Sequence, residues 1–159
     1  MTTSKSAKVT LPSDTEILIT RDFDAPKHLV YRAYTEPELL KRWWTGDRGE
    51  VVSIEMDVRV GGQWRYVMTA HAGFEVAFHG EYTEIVPDEL VARTEIYEAI
   101  PDAAATSAMT LTEQDGRTRM ELLVRHTNKE NRDGHVNSGM EDGLQEALDY
   151  LEQVAVGLA

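Results

Sequence analysis

Residues 138–158, SGMEDGLQEALDYLEQVAVGL, decide the fold of this chain. Apolar side chains recur there at every third or fourth position, so they form one stripe along an α-helix. The stripe comprises Met140, Leu144, Ala147, Leu148, Leu151, Val154, Ala155 and Leu158. Most of the acidic residues in this stretch fall on the opposite side. At 1.5 Å per residue the predicted helix is about 31 Å long, which is enough to cross a sheet.

Upstream of this helix the hydrophobic period changes to two, which is typical of β-strands. The pattern predicts six consecutive strands. They cover residues 51–58, 63–70, 75–86, 90–98, 107–113 and 118–126. Asp115-Gly116 between the last two is a strong hairpin signal, because a two-residue turn of this kind needs positive φ angles. Gly80 inside the third of these strands predicts a bend or a bulge.

Two short helices are predicted before the strands. Residues 15–23 form a first strand, and Asp24-Ala25-Pro26 then marks a helix start, with the carboxylate as a cap and proline in the first turn. A potential capping box from Thr35 to Glu38 begins a second helix, which carries the Trp43-Trp44 pair. Residues 127–136 are polar and receive no assignment.

These elements predict one α+β domain over residues 15–159, with a flexible tail over residues 1–14. The order is strand, helix, helix, six strands, helix. An antiparallel sheet with one amphipathic helix buries its apolar face on that helix. A curved sheet wrapped around the helix also leaves space between them, which the two short helices would close at one end.

Charge and composition narrow the function. The net charge is −12, and the whole excess lies after residue 50, where 20 acidic residues face eight basic ones. Such a surface repels phosphate backbones, so we expect no nucleic-acid partner. The absence of cysteine excludes disulfides and thiolate chemistry. No apolar run has the length of a membrane span, so we expect a cytoplasmic protein that is a monomer or a homodimer.

A succession of short motifs in one order resembles a known superfamily. The motifs are Arg21-Asp22-Phe23-Asp24-Ala25-Pro26, Thr35-Glu36-Pro37, Trp43-Trp44, Gly61-Gly62-Gln63-Trp64-Arg65, the run from Gly80 to Pro87, Thr110-Leu111-Thr112, Gly116-Arg117-Thr118, Gly139-Met140 and Gly143. Together they resemble the START-like and birch-pollen-allergen-like helix-grip superfamily. Within it they are similar to the subgroup named after the activator of the ninety-kilodalton heat-shock-protein ATPase. The resemblance covers nearly the whole chain.

The resemblance implies a helix-grip fold with a cavity between the sheet and the last helix. In relatives this cavity holds lipids, polyketides or other apolar molecules. Many relatives carry a tryptophan directly after the glycine of the last helix, where this chain has Leu144. The smaller side chain predicts a wider pocket.

We predict that aromatic, methionine and other apolar residues of the sheet and last helix bind a small apolar ligand. The predicted ligand-binding residues are Trp43, Trp64, Tyr66, Met68, Phe78, Tyr82, Thr94, Ile96, Met109, Met120, Leu122, Met140 and Leu144. Trp43 is expected near the mouth, and Tyr66, Tyr82 and Thr94 would offer hydroxyls. The alternative for each residue is an ordinary core position, since such residues dominate protein interiors.

The sequence contains no familiar catalytic signature, and we predict no catalytic residue, metal ligand or cofactor. His79 and Glu81 lie two residues apart in a strand and share a face, which would suit a general base or a metal. Phe78 and Tyr82 are better core candidates, so we expect His79 and Glu81 to face solvent. His126 and His135 lack nearby residues to complete a metal site.

Three functions follow as hypotheses. The first is binding of a small apolar molecule such as a lipid, a polyketide or an aromatic metabolite. The second is a cyclase or dehydratase that folds a polyketide-like substrate in the same cavity and needs Arg65, His79 or Glu81 inside it. The third is a co-chaperone of a heat-shock-protein ATPase, active in stress response, which would need an exposed apolar docking surface.

Two segments are candidates for a gate over the cavity. Residues 45–50 contain two glycines and no apolar residue, and residues 99–105 form a loop of small residues. We favour residues 45–50, because they would hinge the helix that carries both tryptophans. The alternative is that both segments are ordinary mobile loops.

Overall fold

The computed structural model describes residues 7–159. Along the chain, the described elements are β1 (Lys8–Thr10), β2 (Glu16–Phe23), α1 (Lys27–Thr35), α2 (Pro37–Leu40), β3 (Gly49–Met56), β4 (Gln63–Ala70), β5 (Glu75–Val86), β6 (Leu90–Tyr97), β7 (Ala105–Gln114), β8 (Arg117–His126), α3 (Lys129–Val136) and α4 (Met140–Gly157).

All eight described strands form one antiparallel sheet, in the order β1-β2-β8-β7-β6-β5-β4-β3. The chain leaves β2 through α1 and α2, crosses to the far edge and returns strand by strand. Asp115 and Gly116 both have positive φ and make the β7–β8 turn that the sequence predicts. The expected irregularity in β5 lies between Tyr82 and Glu84, two residues after Gly80.

Helix α4 packs on the inner face of this curved sheet, as the apolar stripe predicts. Leu148 and Leu151 are almost completely buried, and Met140 and Leu144 are partly buried against the same core. Arg21 of β2 lies inside this layer and binds Asp149 of α4 at 2.7 Å. The predicted helix-grip architecture is therefore confirmed.

The two halves of α4 lie over different ends of the sheet. Asp149 and Glu152 reach Arg21, near the end of β2. In the first half, Gln145 exchanges hydrogen bonds with the backbone of Ala7, and Glu146 accepts one from the amide of Asp47. The first turns of α4 therefore lie between the β1 edge and the loop that precedes β3.

Three predictions for local structure are corrected. Residues 8–10 pair with β2 as strand β1, so the predicted tail is wrong there, and the call for residues 1–6 lies outside the described residues. The polar segment after β8 forms helix α3, because the side chain of Asn128 caps its start by accepting from the amide of Asn131. The Thr35–Glu38 capping box does not form, since the Thr35 hydroxyl donates to the Tyr31 carbonyl instead.

The capping carboxylate expected at Asp24 is also absent. Helix α1 begins after Pro26, with no side-chain cap, and the Asp24 carboxylate instead accepts from Arg117 of β8 at 2.8 Å. Within residues 7–159, no helix combines the length and the apolar character that crossing a membrane requires.

Candidate functional site

The inner face of strands β4, β5 and β6 carries a row of aromatic side chains. Tyr66 pairs with Phe78, which pairs with Tyr97, so all three project from the same face. The ring centroids of Phe78 and Tyr97 lie 5.1 Å apart. Trp44, from the turn after α2, meets Tyr66 edge-on at 5.2 Å and Phe78 at 6.0 Å. These rings form an apolar wall that faces α4.

Burial divides the inner face into a packed end and an open end. At the packed end, side chains such as Phe23, Met109 and Met120 are 0% exposed. Towards the other end, inner-face side chains remain partly exposed although they point into the interior. We call this region the open end. It comprises Trp44, Met68, Phe78, Glu95, Tyr97, His126, His135, Met140 and Leu144.

Most predicted ligand-binding residues do lie on the inner face, but they separate into three groups. Met68, Phe78, Met140 and Leu144 belong to the open end, Leu122 is partly buried, and Trp64, Tyr66 and Tyr82 lie buried beside the open end. Met109 and Met120 lie in the packed end. The prediction that this whole set lines one cavity stays a prediction.

Trp43 does not lie at a mouth. It is 6% exposed, stacks on Tyr34 at 5.8 Å between ring centroids, and donates its indole hydrogen to the Ala33 carbonyl. The neighbouring Trp44 holds the position that we expected for Trp43. The sequence does not separate two adjacent tryptophans, because the helix that would have set their phase ends at Leu40.

Thr94 and Ile96 lie on the wrong face for an interior site. On β6 the inner face carries Val91, Arg93, Glu95 and Tyr97, so the residues between them point outward. The Thr94 hydroxyl accepts from the Glu81 amide at 2.9 Å, and its carbonyl accepts from the Trp64 indole at 3.2 Å. Their assignment to the interior is wrong, and the Trp64 indole donor is already engaged.

Gly80 allows Trp64 to lie across the inner face. A Cβ atom at Gly80 would come within 1.9 Å of the Thr94 carbonyl oxygen and 2.8 Å of the Trp64 indole nitrogen. Only glycine fits a backbone approached this closely. The expected special role of Gly80 is therefore a packing role that seats Trp64.

Arg93 is the main polar feature of the interior. Its guanidinium carbon lies 3.8 Å from the centroid of the Trp64 ring and 5.2 Å from that of Tyr66, which is cation–π geometry. Nη1 donates to the Tyr66 hydroxyl at 2.8 Å. Nε lies 3.8 Å from the carboxylate of Glu95, which is too far for a hydrogen bond. The residue as a whole is only 8% exposed.

Two tyrosines beside Arg93 are kept as proton donors. Burial raises the pKa of Tyr34 to about 12 and raises the pKa of Tyr82 well above its ordinary range. Tyr82 is 1% exposed and pairs in register with Arg93 on the next strand. Both phenols therefore stay neutral near pH 7.

A histidine pair borders the open end. Nε2 of His126 on β8 lies 3.0 Å from Nδ1 of His135 on α3. Burial, followed by the nearby His135, lowers the pKa of His126, and burial lowers the pKa of His135. The carboxylate of Glu95 opposes both shifts. The pair is therefore neutral at pH 7 and joins α3 to the sheet.

The outer face carries a second polar cluster, as we expected for His79 and Glu81. Arg65 binds both oxygens of Glu98 at 2.8 and 2.9 Å, and Nδ1 of His79 lies 2.8 Å from the same carboxylate. The Arg65 guanidinium, and then His79, lower the pKa of Glu98 to about 2. A shallow groove of about 590 Å³ runs past this cluster and past Glu81.

The sequence analysis missed several interior residues. Arg93, Glu95 and Tyr97 follow Val91 at a spacing of two, so alternation alone places them on the inner face. A charged residue is seldom placed inside from sequence, because buried charges are rare unless they are paired. Among residues 7–159, no three histidine, aspartate or glutamate side chains converge as metal ligands.

Comparison with known proteins adds a family and a set of folds. The family model described as "Activator of Hsp90 ATPase homolog 1-like protein" matches residues 24–155. No curated protein matches the sequence. Many solved structures do, and three of them illustrate the similarity at a sequence identity that informs on the fold alone.

A crystal structure from Rhodobacter sphaeroides has a TM-score of 0.88 at 22% identity and covers 95% of this chain and 99% of its own. One from Nitrosomonas europaea has a TM-score of 0.83 at 22% identity, with coverages of 93% and 98%. One from Mycobacterium smegmatis has a TM-score of 0.84 at 23% identity, with coverages of 94% and 96%. These proteins share the fold over their whole length.

Proposed function

The chain belongs to the family of activator of Hsp90 ATPase homolog 1-like proteins, and from this premise we propose that it binds one small molecule with an apolar body in the open end between the sheet and α4. A lipid, a polyketide or an aromatic metabolite has the required character. The family and fold support a protein with a ligand-binding apolar interior in general terms.

The observation that carries the proposal is the incomplete burial of the open end. Phe78, Tyr97, Met140 and Leu144 point into the interior and yet stay partly exposed. A finished core covers such residues, as the packed end does. An apolar recess with a few convergent polar groups is the usual form of a small-molecule site.

The lining also suits ligands of varied shape. Met68 and Met140 are unbranched and polarisable, so they adapt to different contours. The edges and faces of Trp44, Phe78 and Tyr97 favour flat or aromatic bodies. An aromatic or polycyclic ligand would therefore gain more contact here than a branched aliphatic one.

A fluorescence titration tests the proposal. The neutral probe N-phenyl-1-naphthylamine should bind with saturable, one-to-one enhancement. Leu144→Trp should fill the open end and weaken binding at least about tenfold, because removing space for an aromatic group removes most of its burial. Val156→Trp changes an exposed position of the same helix and serves as the matched control.

Binding that is unsaturable, or that is equally strong in Leu144→Trp and the control, would contradict the proposal. Native mass spectrometry of the protein from its own cells would then identify the natural ligand by its retained mass.

The cyclase or dehydratase alternative loses the residues on which it depended. Arg65, His79 and Glu81 line the outer groove, so none of them reaches a substrate in the interior. The co-chaperone alternative rests on the family description alone, and no docking surface in the described residues favours it over ligand binding.

A further inference from the structure

The guanidinium of Arg93 has fewer partners than a buried arginine normally has. It carries five N–H groups. The described residues supply one hydrogen bond, to the Tyr66 hydroxyl, and leave the buried Nε without an acceptor. Stacking on Trp64 compensates for part of the lost hydration. A cation in this position retains a donor edge for another group.

The hydroxyl of Tyr82 adds a second donor at the same place. Tyr82 and Arg93 are register partners on adjacent strands, and both side chains belong to the inner face. The Tyr82 hydroxyl is buried and has no hydrogen-bond partner of normal geometry among residues 7–159. Leaving two buried donors unpaired in one spot is unfavourable, so their pairing by a ligand would strengthen binding.

Arg93 is also within reach of the open end. Glu95 lies two residues further along β6, on the same inner face, and its side chain is 28% exposed. Arg93 therefore lies one inner-face position deeper than a residue that solvent already contacts. A ligand that enters along the aromatic wall would bring its leading group to this position.

We infer that the ligand carries an oxygen acceptor, a carboxylate or a ketone, which the side chains of Arg93 and Tyr82 bind at the inner end of the site. This inference rests on the proposed function, because it assigns the polar group of the same ligand. Both residues offer only hydrogen to a ligand, since arginine has no acceptor and the buried phenol stays protonated. A ligand amine or ammonium would be disfavoured.

Glu95 separates the two acceptor chemistries. Its carboxylate flanks Arg93 at 3.8 Å and would repel a ligand carboxylate unless the Glu95 side chain turned towards the histidine pair. A neutral ketone meets no such repulsion. The test therefore includes both acceptors.

The experiment compares three probes of nearly equal size: 2-naphthoate, 2-acetylnaphthalene and 2-ethylnaphthalene. At least one of the two oxygen-bearing probes should bind about tenfold more tightly than 2-ethylnaphthalene, as expected for hydrogen bonds to a charged donor. The ratio between naphthoate and acetylnaphthalene then shows which acceptor the site prefers.

Two variants assign the effect to these residues. Tyr82→Phe removes only the hydroxyl, so it should reduce the preference for the acceptor several-fold and leave the affinity for 2-ethylnaphthalene unchanged. Arg93→Met should abolish the preference. Because loss of Arg93 also removes packing on Trp64, Tyr82→Phe keeps the test valid if Arg93→Met does not fold.

An NMR signal gives a direct readout. The Nε–H resonance of Arg93 is identified by its loss in Arg93→Met or, failing that, by selective assignment. It should shift with the preferred acceptor and not with 2-ethylnaphthalene. Saturable binding of all three probes with equal affinity would overturn the inference and leave the proposed function intact. Binding of none of them would overturn both.

Discussion

At the scale of single residues, the interior combines apolar contacts with one buried cation. Leu148 and Leu151 hold α4 against the sheet, and Arg21 ties the same helix to β2 through Asp149. Arg93 instead has an aromatic surround and a distant carboxylate. The first set stabilises the fold, whereas Arg93 adds the polar character that a binding site needs.

Leu148→Ala measures the packing of α4. Leu148 is 2% exposed in the main core, so the substitution should lower the free energy of unfolding by about 2–5 kcal/mol, as large-to-small core changes do. Urea denaturation provides the measurement. Val156→Ala, at an exposed position of the same helix, should cost less than about 0.5 kcal/mol. A similarly small loss for Leu148→Ala would mean that the helix does not rest on its stripe.

The histidine pair predicts an acid-sensitive fold. Both pKa values are lowered from 6.5, so the unfolded chain binds protons more readily than the folded one as pH falls. The stability due to the neutral pair is thus full above about pH 6.5 and decreases below it. Carboxylates with lowered pKa values act mainly below about pH 4.5.

Urea unfolding at pH 7.5, 6.5 and 5.5 should therefore give a falling free energy of unfolding. In His135→Gln this fall should be smaller, because one titrating group is removed. An identical slope in the variant would show that other groups cause the acid sensitivity.

At the scale of elements, the segment from Thr45 to Glu50 is more firmly held than its sequence suggests. The amide of Asp47 donates to Glu146 at 3.0 Å, and its carboxylate accepts from the Tyr150 hydroxyl at 2.8 Å. The Arg48 side chain lies against Gly143, and the His71 ring contacts the Asp47 carbonyl. A gate at this segment stays a prediction, with these contacts to α4 as its latch.

Hydrogen exchange tests the latch. Tyr150→Phe removes one hydrogen bond to Asp47, so amides of residues 45–50 should exchange several-fold faster, while those of β7 and β8 keep their rates. Binding of N-phenyl-1-naphthylamine to the unaltered protein should instead slow exchange over residues 39–49. Slowing confined to the strands and α4 would mean that this segment is a plain connector.

Sequence reasoning succeeds for elements whose pattern is long and repeated. The α4 stripe and the strands β4 and β5 follow from periodicity, and their bounds agree within two residues with the structure. It fails where a single local contact decides. The Asn128 cap creates α3 from a polar segment, and pairing with β2 turns residues 8–10 into a strand.

The candidate site could be predicted only in part, for a related reason. Alternation correctly places Trp64, Tyr66, Phe78 and Tyr82 on the inner face and His79 and Glu81 on the outer one. It cannot show which inner residues are covered by α4 and which remain open, since that depends on how far the helix and α3 extend over the sheet. The burial of Arg93 depends on Trp64 lying across Gly80, which no local pattern reveals.

At the scale of the whole molecule, the fold places a packed end and an open end along one helix. The second half of α4 closes the packed end through Arg21, and its first half spans the open end with α3 and the 45–50 segment at its border. Stability and binding are thereby separated in space. Substitutions at the open end should alter ligand affinity with less effect on stability than substitutions at Leu148.

The most direct test of the central claim, an apolar ligand in the open end, is methyl NMR of the protein labelled at its six methionines. With 2-ethylnaphthalene bound, intermolecular NOEs should appear at Met68 and Met140 and be absent at Met56, which lies outside the open end. NOEs that appear at Met56 alone, or a titration in which neither Met68 nor Met140 contacts the probe, would contradict the claim.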